Sequence, residues 1–176
     1  VRLPARKPLT PDMSRLRYLA YGSNLLPQRL QRRVPSARTL TAVRLPGVSL
    51  RFHKRGQDGS AKCNLLETRR ETDCAYGAIY DIAAQERGKL DRAEGLGKGY
   101  ELTWLDLEAI GRVFLYAAAQ THIDDHLRPF RWYRAFVEAG AAYHGFPEEY
   151  VTGIRAVEAV DDPLPERHRQ NLALLG

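Results

Sequence analysis

The sequence has two cysteines in 176 residues, no CxxC pair and no apolar run near the roughly 18 residues that a membrane-spanning helix needs. Cys63 and Cys74 fall in separate predicted strands. A structural metal site takes about four ligands, so the two are read as free thiols packed like small hydrophobes, with no metal site. No internal repeat, low-complexity block or linker interrupts the chain. Residues 1–13, VRLPARKPLTPDM, carry Arg2, Arg6 and Lys7 but no apolar core. They do not read as a secretory signal, so a cytoplasmic location is expected. The expected organisation is a flexible basic arm over 1–14, a single domain over 15–162 and a tail over 163–176.

Hydrophobic residues at 44% and charged residues at 27% suit a globular domain. A formal charge of +6 raises the question of nucleic acid, with Arg15, Arg17, Arg29, Arg32, Arg33, Arg38 and Arg44 close in sequence. No recognition module or run of stacking aromatics accompanies them. They are therefore read as a solvated surface that attracts small anions at long range. No nucleic-acid or membrane partner is expected. A basic interaction protein is the rival class, which a steep salt dependence of DNA or RNA binding would reveal.

Along the chain, Leu16 to Tyr21 reads as a buried strand, and Pro27 opens a helix that Pro35 closes. Strands are predicted at 39–45 and 48–53, divided by Pro46-Gly47, with an exposed loop at 54–60. Further strands follow at 61–66 and 75–82, separated by the charged stretch 67–73. A helix over 83–93 takes Asp81 as N-cap and ends at Gly95, suited to the left-handed C′ position. Strands 100–109 and 113–119 make a hairpin turned at Gly111, and helices are predicted over 130–142 and 148–160. The end of the chain is either a last helix or an ordered arm. Strands grouped before helices indicate an α+β fold rather than a doubly wound sheet.

The stretch that carries chemistry is Leu16–Leu30, LRYLAYGSNLLPQRL. A strand, a glycine turn and a helix start aim unpaired backbone N–H groups at one spot, which suits a carboxylate or phosphate. An ordinary strand-to-helix turn has the same outline. Ser23 lies in Tyr-Gly-Ser-Asn rather than a Gly-x-Ser-x-Gly elbow, which argues against a nucleophile. His122 and His126 have i, i+4 spacing with nearby Asp124 and Asp125, but Pro129 and the missing Glu favour a polar turn over a metal site.

Tyr18-Leu19-Ala20-Tyr21-Gly22-Ser23-Asn24-Leu25 resembles the signature of the γ-glutamylcyclotransferase family, and Leu90-Asp91-Arg92-Ala93-Glu94-Gly95 resembles its second motif. The resemblance implies a small mixed, barrel-like sheet of about six or seven strands with flanking helices. It implies cyclisation of a γ-glutamyl group to 5-oxoproline with release of the attached amine, on a small-molecule γ-glutamyl substrate. No cofactor or metal is implied, and the assembly would be a monomer or homodimer. Glu94 would be the general acid/base. Tyr18, Leu19, Ala20, Tyr21, Gly22, Ser23 and Asn24 would contact substrate, together with Tyr133, Tyr116 and Tyr100. The glycine turn differs from that of glutathione-specific relatives, so glutathione is not the expected substrate. A module that binds a small anion without turnover is the alternative.

Such a reaction uses the substrate's own α-amine as nucleophile, so the protein must mainly position and move protons. A free glutamate titrates near ~4.3, too acidic for an effective base at neutral pH. A helix C-terminus adds only about 0.3–1 kcal/mol, so burial has to supply the rest. Glu94 is therefore predicted to line a pocket facing the glycine turn, around a hollow sized for a five-membered lactam.

Overall fold

The computed structural model describes residues 14–175, so the arm expected over 1–14 lies, apart from Ser14, outside the described residues. The strands are β1 (Arg15–Ala20), β2 (Arg38–Pro46), β3 (Val48–Arg55), β4 (Ala61–Glu67), β5 (Cys74–Ala83), β6 (Tyr100–Leu107) and β7 (Gly111–Ala118). The helices are α1 (Pro27–Arg33), α2 (Arg87–Glu94), α3 (Arg131–Tyr143), α4 (Glu148–Ala156) and α5 (Pro165–Leu172). The fold is α+β. The expected barrel-like sheet is instead an open five-stranded sheet, ordered β2-β5-β1-β7-β6, beside a separate ribbon of β3 and β4.

The apolar run in β1 is explained by its place at the centre. It pairs antiparallel with β5 on one side and parallel with β7 on the other, so Tyr18, Leu19 and Ala20 are all buried. Pro46-Gly47 is a corner between sheets, not a hairpin turn. Pro46 still pairs with Cys74 of β5, whereas Val48 pairs with Glu67 of β4. Gly47, at φ 75°, holds the corner by donating to Asp73 and accepting from Thr68, both at 2.9 Å. The β6–β7 hairpin turns at Gly111, φ 88°, as its residue type requires.

Two expectations are corrected. Asp81 does not cap α2; it lies within β5, where its carboxylate accepts from Arg15 Nε at 2.7 Å, and a 3₁₀ turn over Ala84–Glu86 leads into the helix. Helix α4 stops at Ala156 rather than 160. Beyond it Val160 runs alongside Phe130, donating to Pro129 O and accepting from Arg131 N, both at 3.0 Å. The tail forms α5, tethered where Arg167 grips the Asp162 carboxylate at 2.5 and 2.7 Å. That same carboxylate accepts from Trp132 Nε1 at 2.8 Å. Hydrogen bonds from Arg167 hold the Asp162 carboxyl well below the usual carboxylate range.

Helix α3 lies against the short 3₁₀ turn Ser23–Leu25 that follows β1, and the approach depends on Gly140. A Cβ there would sit 2.4 Å from Leu25 Cβ and 2.6 Å from the Leu26 backbone nitrogen. Backbone cannot swing aside as a side chain can, so Gly140→Ala is expected to lower stability by about 1–3 kcal/mol. Urea unfolding of the variant checks this, and an unchanged midpoint would show that α3 and the turn do not pack this closely.

Candidate active site

The site begins where β1 ends. Gly22 precedes the turn Ser23–Leu25, which closes with Leu25 N donating to Gly22 O at 2.9 Å. The N–H groups of Gly22, Ser23 and Asn24 have no acceptor among the described residues. Such amides suit an oxygen bearing negative charge. A β-carbon at Gly22 would lie 3.0 Å from Cys63 Cβ and 3.3 Å from Tyr133 Oη, so only a glycine leaves that approach unstrained.

The carboxylate comes from the end of α2. Gly95, at φ 71°, takes the left-handed position, and Leu96 N reaches back to Asp91 O at 2.9 Å. This C-terminal motif stops the helix with Glu94 as its last residue. Glu94 Oε1 accepts from Asn24 Nδ2 at 2.8 Å and from Arg33 Nη1 at 2.5 Å. Arg33 Nη1 also donates to Asn24 Oδ1 at 3.0 Å, and Asn24 Nδ2 donates to Tyr18 Oη at 3.1 Å. Both bonds to the carboxylate land on Oε1, so Oε2 accepts none among the described residues. The Glu94 side chain is 17% exposed and lines a cavity, as its expected setting required.

That cavity has two parts. A recess of about 20 Å³ is bounded by Tyr18, Tyr21, the turn residues Gly22–Asn24, Cys63, Glu94, Tyr100, Tyr116 and Tyr133. It has room for one water-sized group, not for a five-membered lactam. Ser23, Glu94, Tyr100 and Tyr133 also border an open cavity of about 300 Å³, whose other walls include Arg29, Arg33, Lys54, Asp58, Lys62, Arg92 and Trp132. This is at the small end of the range for small-molecule sites. A separate cavity of about 320 Å³, between Leu50–Phe52 and Leu127–Pro129, shares no residue with the glycine turn.

The five tyrosines of the recess divide by what their hydroxyls do. Tyr21 donates to Tyr116 O, Tyr100 to Cys63 O at 2.5 Å, and Tyr116 to Asp91 Oδ1 at 2.6 Å. These three spend their protons tying segments together. Tyr133 Oη instead accepts from Cys63 N at 3.0 Å and Tyr18 Oη accepts from Asn24, so both keep an O–H to offer a ligand. Burial pushes all five phenols up, which keeps them protonated donors.

Tyr18, Tyr21, Gly22, Ser23, Asn24, Glu94, Tyr100, Tyr116 and Tyr133 thus converge, while Leu19 and Ala20 line neither cavity. Those two are wholly buried core residues, Leu19 filling the space left by Gly77. Ser23 Oγ accepts from Arg29 Nε at 3.1 Å, a group that cannot take its proton. Burial pushes the Cys63 thiol up to about 12, so it is not a thiolate. His122 ends a 3₁₀ turn and packs by Gly99, and His126 N donates to Asp124 Oδ1, so that segment is a polar turn.

Sequence reasoning missed the basic walls. Arg29 and Arg33, read as part of a solvated surface, turn one face of α1 into the site. Arg29 lies 4.5 Å over the Phe136 ring, and burial lowers its pKa to about 10, leaving it charged at neutral pH. Their i, i+4 spacing on a helix was the available signal. Lys54 and Asp58, assigned to an exposed loop, are cavity walls, and Lys62 pairs with Asp58 at 2.7 Å.

No family model matches the sequence. The chain is 25% identical over 157 residues to a human gamma-glutamylcyclotransferase, covering 86% of this chain and 83% of that one. It is 28% identical over 151 residues to a bovine gamma-glutamylcyclotransferase, covering 82% and 79%. A solved structure described as a gamma-glutamyl cyclotransferase superposes with a TM-score of 0.75 at 23% identity, covering 90% of this chain and 99% of the other. A human protein of solved structure, described as uncharacterized, gives 0.72 at 24% identity, covering 84% and 90%. No helix among the described residues is long and apolar enough to cross a membrane. A glycine turn and a helix-end glutamate joined through one asparagine, in this fold, accompany the similarity of the chain to gamma-glutamylcyclotransferases.

Proposed function

We propose that this protein converts a small γ-glutamyl compound to 5-oxoproline and a free amino acid or amine, without cofactor or metal. The observation that carries the reading is the position of Glu94. Its carboxylate is fixed through one oxygen to the glycine turn and to Arg33, while the other oxygen is unengaged at the edge of a cavity of small-molecule size.

The recess is the size of one oxygen, and it takes the γ-carbonyl oxygen of the substrate. The N–H groups of the turn and the Tyr133 hydroxyl surround that oxygen as it becomes an oxyanion. Each donor of this kind contributes about 3 kcal/mol in a water-poor site. The rest of the glutamyl chain lies in the larger cavity, its α-carboxylate met by Arg29. Folding the chain so that its amine reaches the carbonyl carbon can supply roughly 7–11 kcal/mol. Glu94 Oε2 takes a proton from the α-ammonium, the freed nitrogen attacks, and the C–N bond to the leaving group breaks. Glu94 passes that proton to the departing nitrogen as the bond breaks. The second proton that the attacking nitrogen sheds in becoming the lactam N–H goes to the freed amine by the same carboxylate, so the amine leaves as an ammonium and the carboxylate is restored. Ser23 has no nucleophilic role in this scheme, since the arginine bonded to its hydroxyl cannot take its proton.

Glu94→Gln preserves the bond from Asn24 but cannot carry the proton, so 5-oxoproline release from γ-glutamyl amino acids should fall by about 10²–10⁴. Retention of wild-type rates would remove Glu94 from the chemistry. Tyr133→Phe should lower kcat by about 10²–10³ with little change in KM, the behaviour of a donor used in the transition state. Thermal melting should accompany it, since the buried Cys63 N–H loses its acceptor. Ser23→Ala should remain within about tenfold of wild type, whereas a covalent serine mechanism requires near-complete loss.

A further inference from the structure

The larger cavity carries more positive charge than the reaction requires, and the excess is unevenly placed. Two of its five cations are neutralised by the protein: Arg33 by Glu94 at 2.5 Å and Lys62 by Asp58 at 2.7 Å. The other three, Arg29, Lys54 and Arg92, have no carboxylate partner among the described residues. Arg29 is tied to the glycine turn through Ser23 and serves the glutamyl half. Arg92 is an exposed residue in the last turn of α2.

Lys54 is the unusual one. It is only 3% exposed, yet its ammonium has neither a hydrogen-bond acceptor nor an ion-pair partner among the described residues. The Nζ lies 4.3 Å over the ring of Tyr100, itself a wall of the cavity, and its stem passes close against Gly99. Burial pulls its pKa down, opposed by the charges of Glu94 and Asp58. With its stem buried and its ammonium opening on the cavity, Lys54 has donors free for an anion that a ligand brings. Its backbone is fixed in β3, with Lys54 also bridging to Ile123, so the side chain is aimed by the fold rather than by a mobile loop.

Building on the cyclotransferase reading, we propose that Lys54, with Arg92 at the rim, forms an anion subsite for the leaving half of the substrate, so that the enzyme selects γ-glutamyl compounds whose leaving amino acid has an acidic side chain. A γ-glutamyl acidic dipeptide has three carboxylates, matching the three cations the protein leaves unneutralised. A leaving group that is a plain alkylamine offers the subsite nothing, and one bearing a second ammonium is repelled from it. The selection falls on binding, because the leaving side chain keeps the same charge throughout the reaction.

The test compares γ-glutamylglutamate with γ-glutamylglutamine, which have nearly the same shape and differ by one charge. For the wild-type protein, kcat/KM for 5-oxoproline release is expected to be about tenfold or more higher for the acidic dipeptide, the difference lying in KM. Lys54→Met keeps the apolar stem and should bring the two substrates level; Lys54→Arg should keep most of the preference. Calorimetric binding of both dipeptides to the wild type runs in parallel. If neither dipeptide is turned over but the acidic one still binds more tightly in a Lys54-dependent way, the cyclotransferase reading fails and the anion subsite stands. Equal kcat/KM for the two dipeptides in the wild type overturns the subsite while leaving the reaction intact. A Lys54→Met loss of the same size on both dipeptides, or on γ-glutamyl alkylamides as well, would put Lys54 on the glutamyl half and also overturn it.

Discussion

The bridge Arg33–Glu94–Asn24 is the contact on which the rest of the site depends. Glu94 is 70 residues from Asn24 and 61 from Arg33, so one carboxylate oxygen draws the end of α2 onto both the glycine turn and α1. The side chains of the ion pair are 17% and 23% exposed, so neither charge is freely hydrated. In that setting the pair is weak evidence for net stability, since desolvation offsets much of the attraction. Its value lies in direction. It fixes which oxygen of Glu94 is occupied, leaves the other without a donor among the described residues, and orients the Asn24 amide through a second bond from the same arginine nitrogen.

Around that bridge the tyrosines set the medium. Tyr18, Tyr21, Tyr100, Tyr116 and Tyr133 are each 6% exposed or less, and the rings of Tyr18, Tyr116 and Tyr133 meet other rings edge-on or tilted, as Tyr18 does Phe114 and Tyr116. Large apolar rings exclude water, while each polar tip still finds a partner. A low-dielectric recess strengthens any hydrogen bond made within it. The three hydroxyls that donate to protein oxygens brace the walls, and the two that accept keep a proton for a ligand. The packing of α3 on the turn through Gly140 completes the support from behind.

Most of the elements were legible because local chemistry marks them: Pro27 and Pro147 at helix starts, Gly95 at a helix end, Gly111 in a hairpin. Strand partners were not legible. Nothing in Thr39–Leu45 or Val48–His53 says that the first joins β5 and the second β4, since pairing is decided by distant segments. Asp81 misled for the same reason, being well placed to cap a helix locally and claimed by Arg15 from across the sheet. The glycine turn and Glu94 could be found because their wording is distinctive. The basic walls could not, because an arginine on a helix or a lysine near Gly-Gln-Asp-Gly is usually solvated, and only the fold shows that Arg29, Arg33 and Lys54 turn inward.

The charge of those walls bears on the proton transfer as well as on binding. Glu94 sits against a guanidinium at 2.5 Å. The reaction proposed here needs the substrate's α-ammonium to give up a proton, and that group would lie near Arg29 and Arg33. A cation brought among cations is destabilised relative to its neutral amine, by the same like-charge effect that shifts lysine and histidine. The field that holds the substrate's carboxylates therefore also loosens the proton on its nucleophile. On this account the difference in proton affinity between amine and glutamate is narrowed from the substrate's side, and Glu94 has mainly to be positioned, which is what its bridge to Asn24 and Arg33 accomplishes.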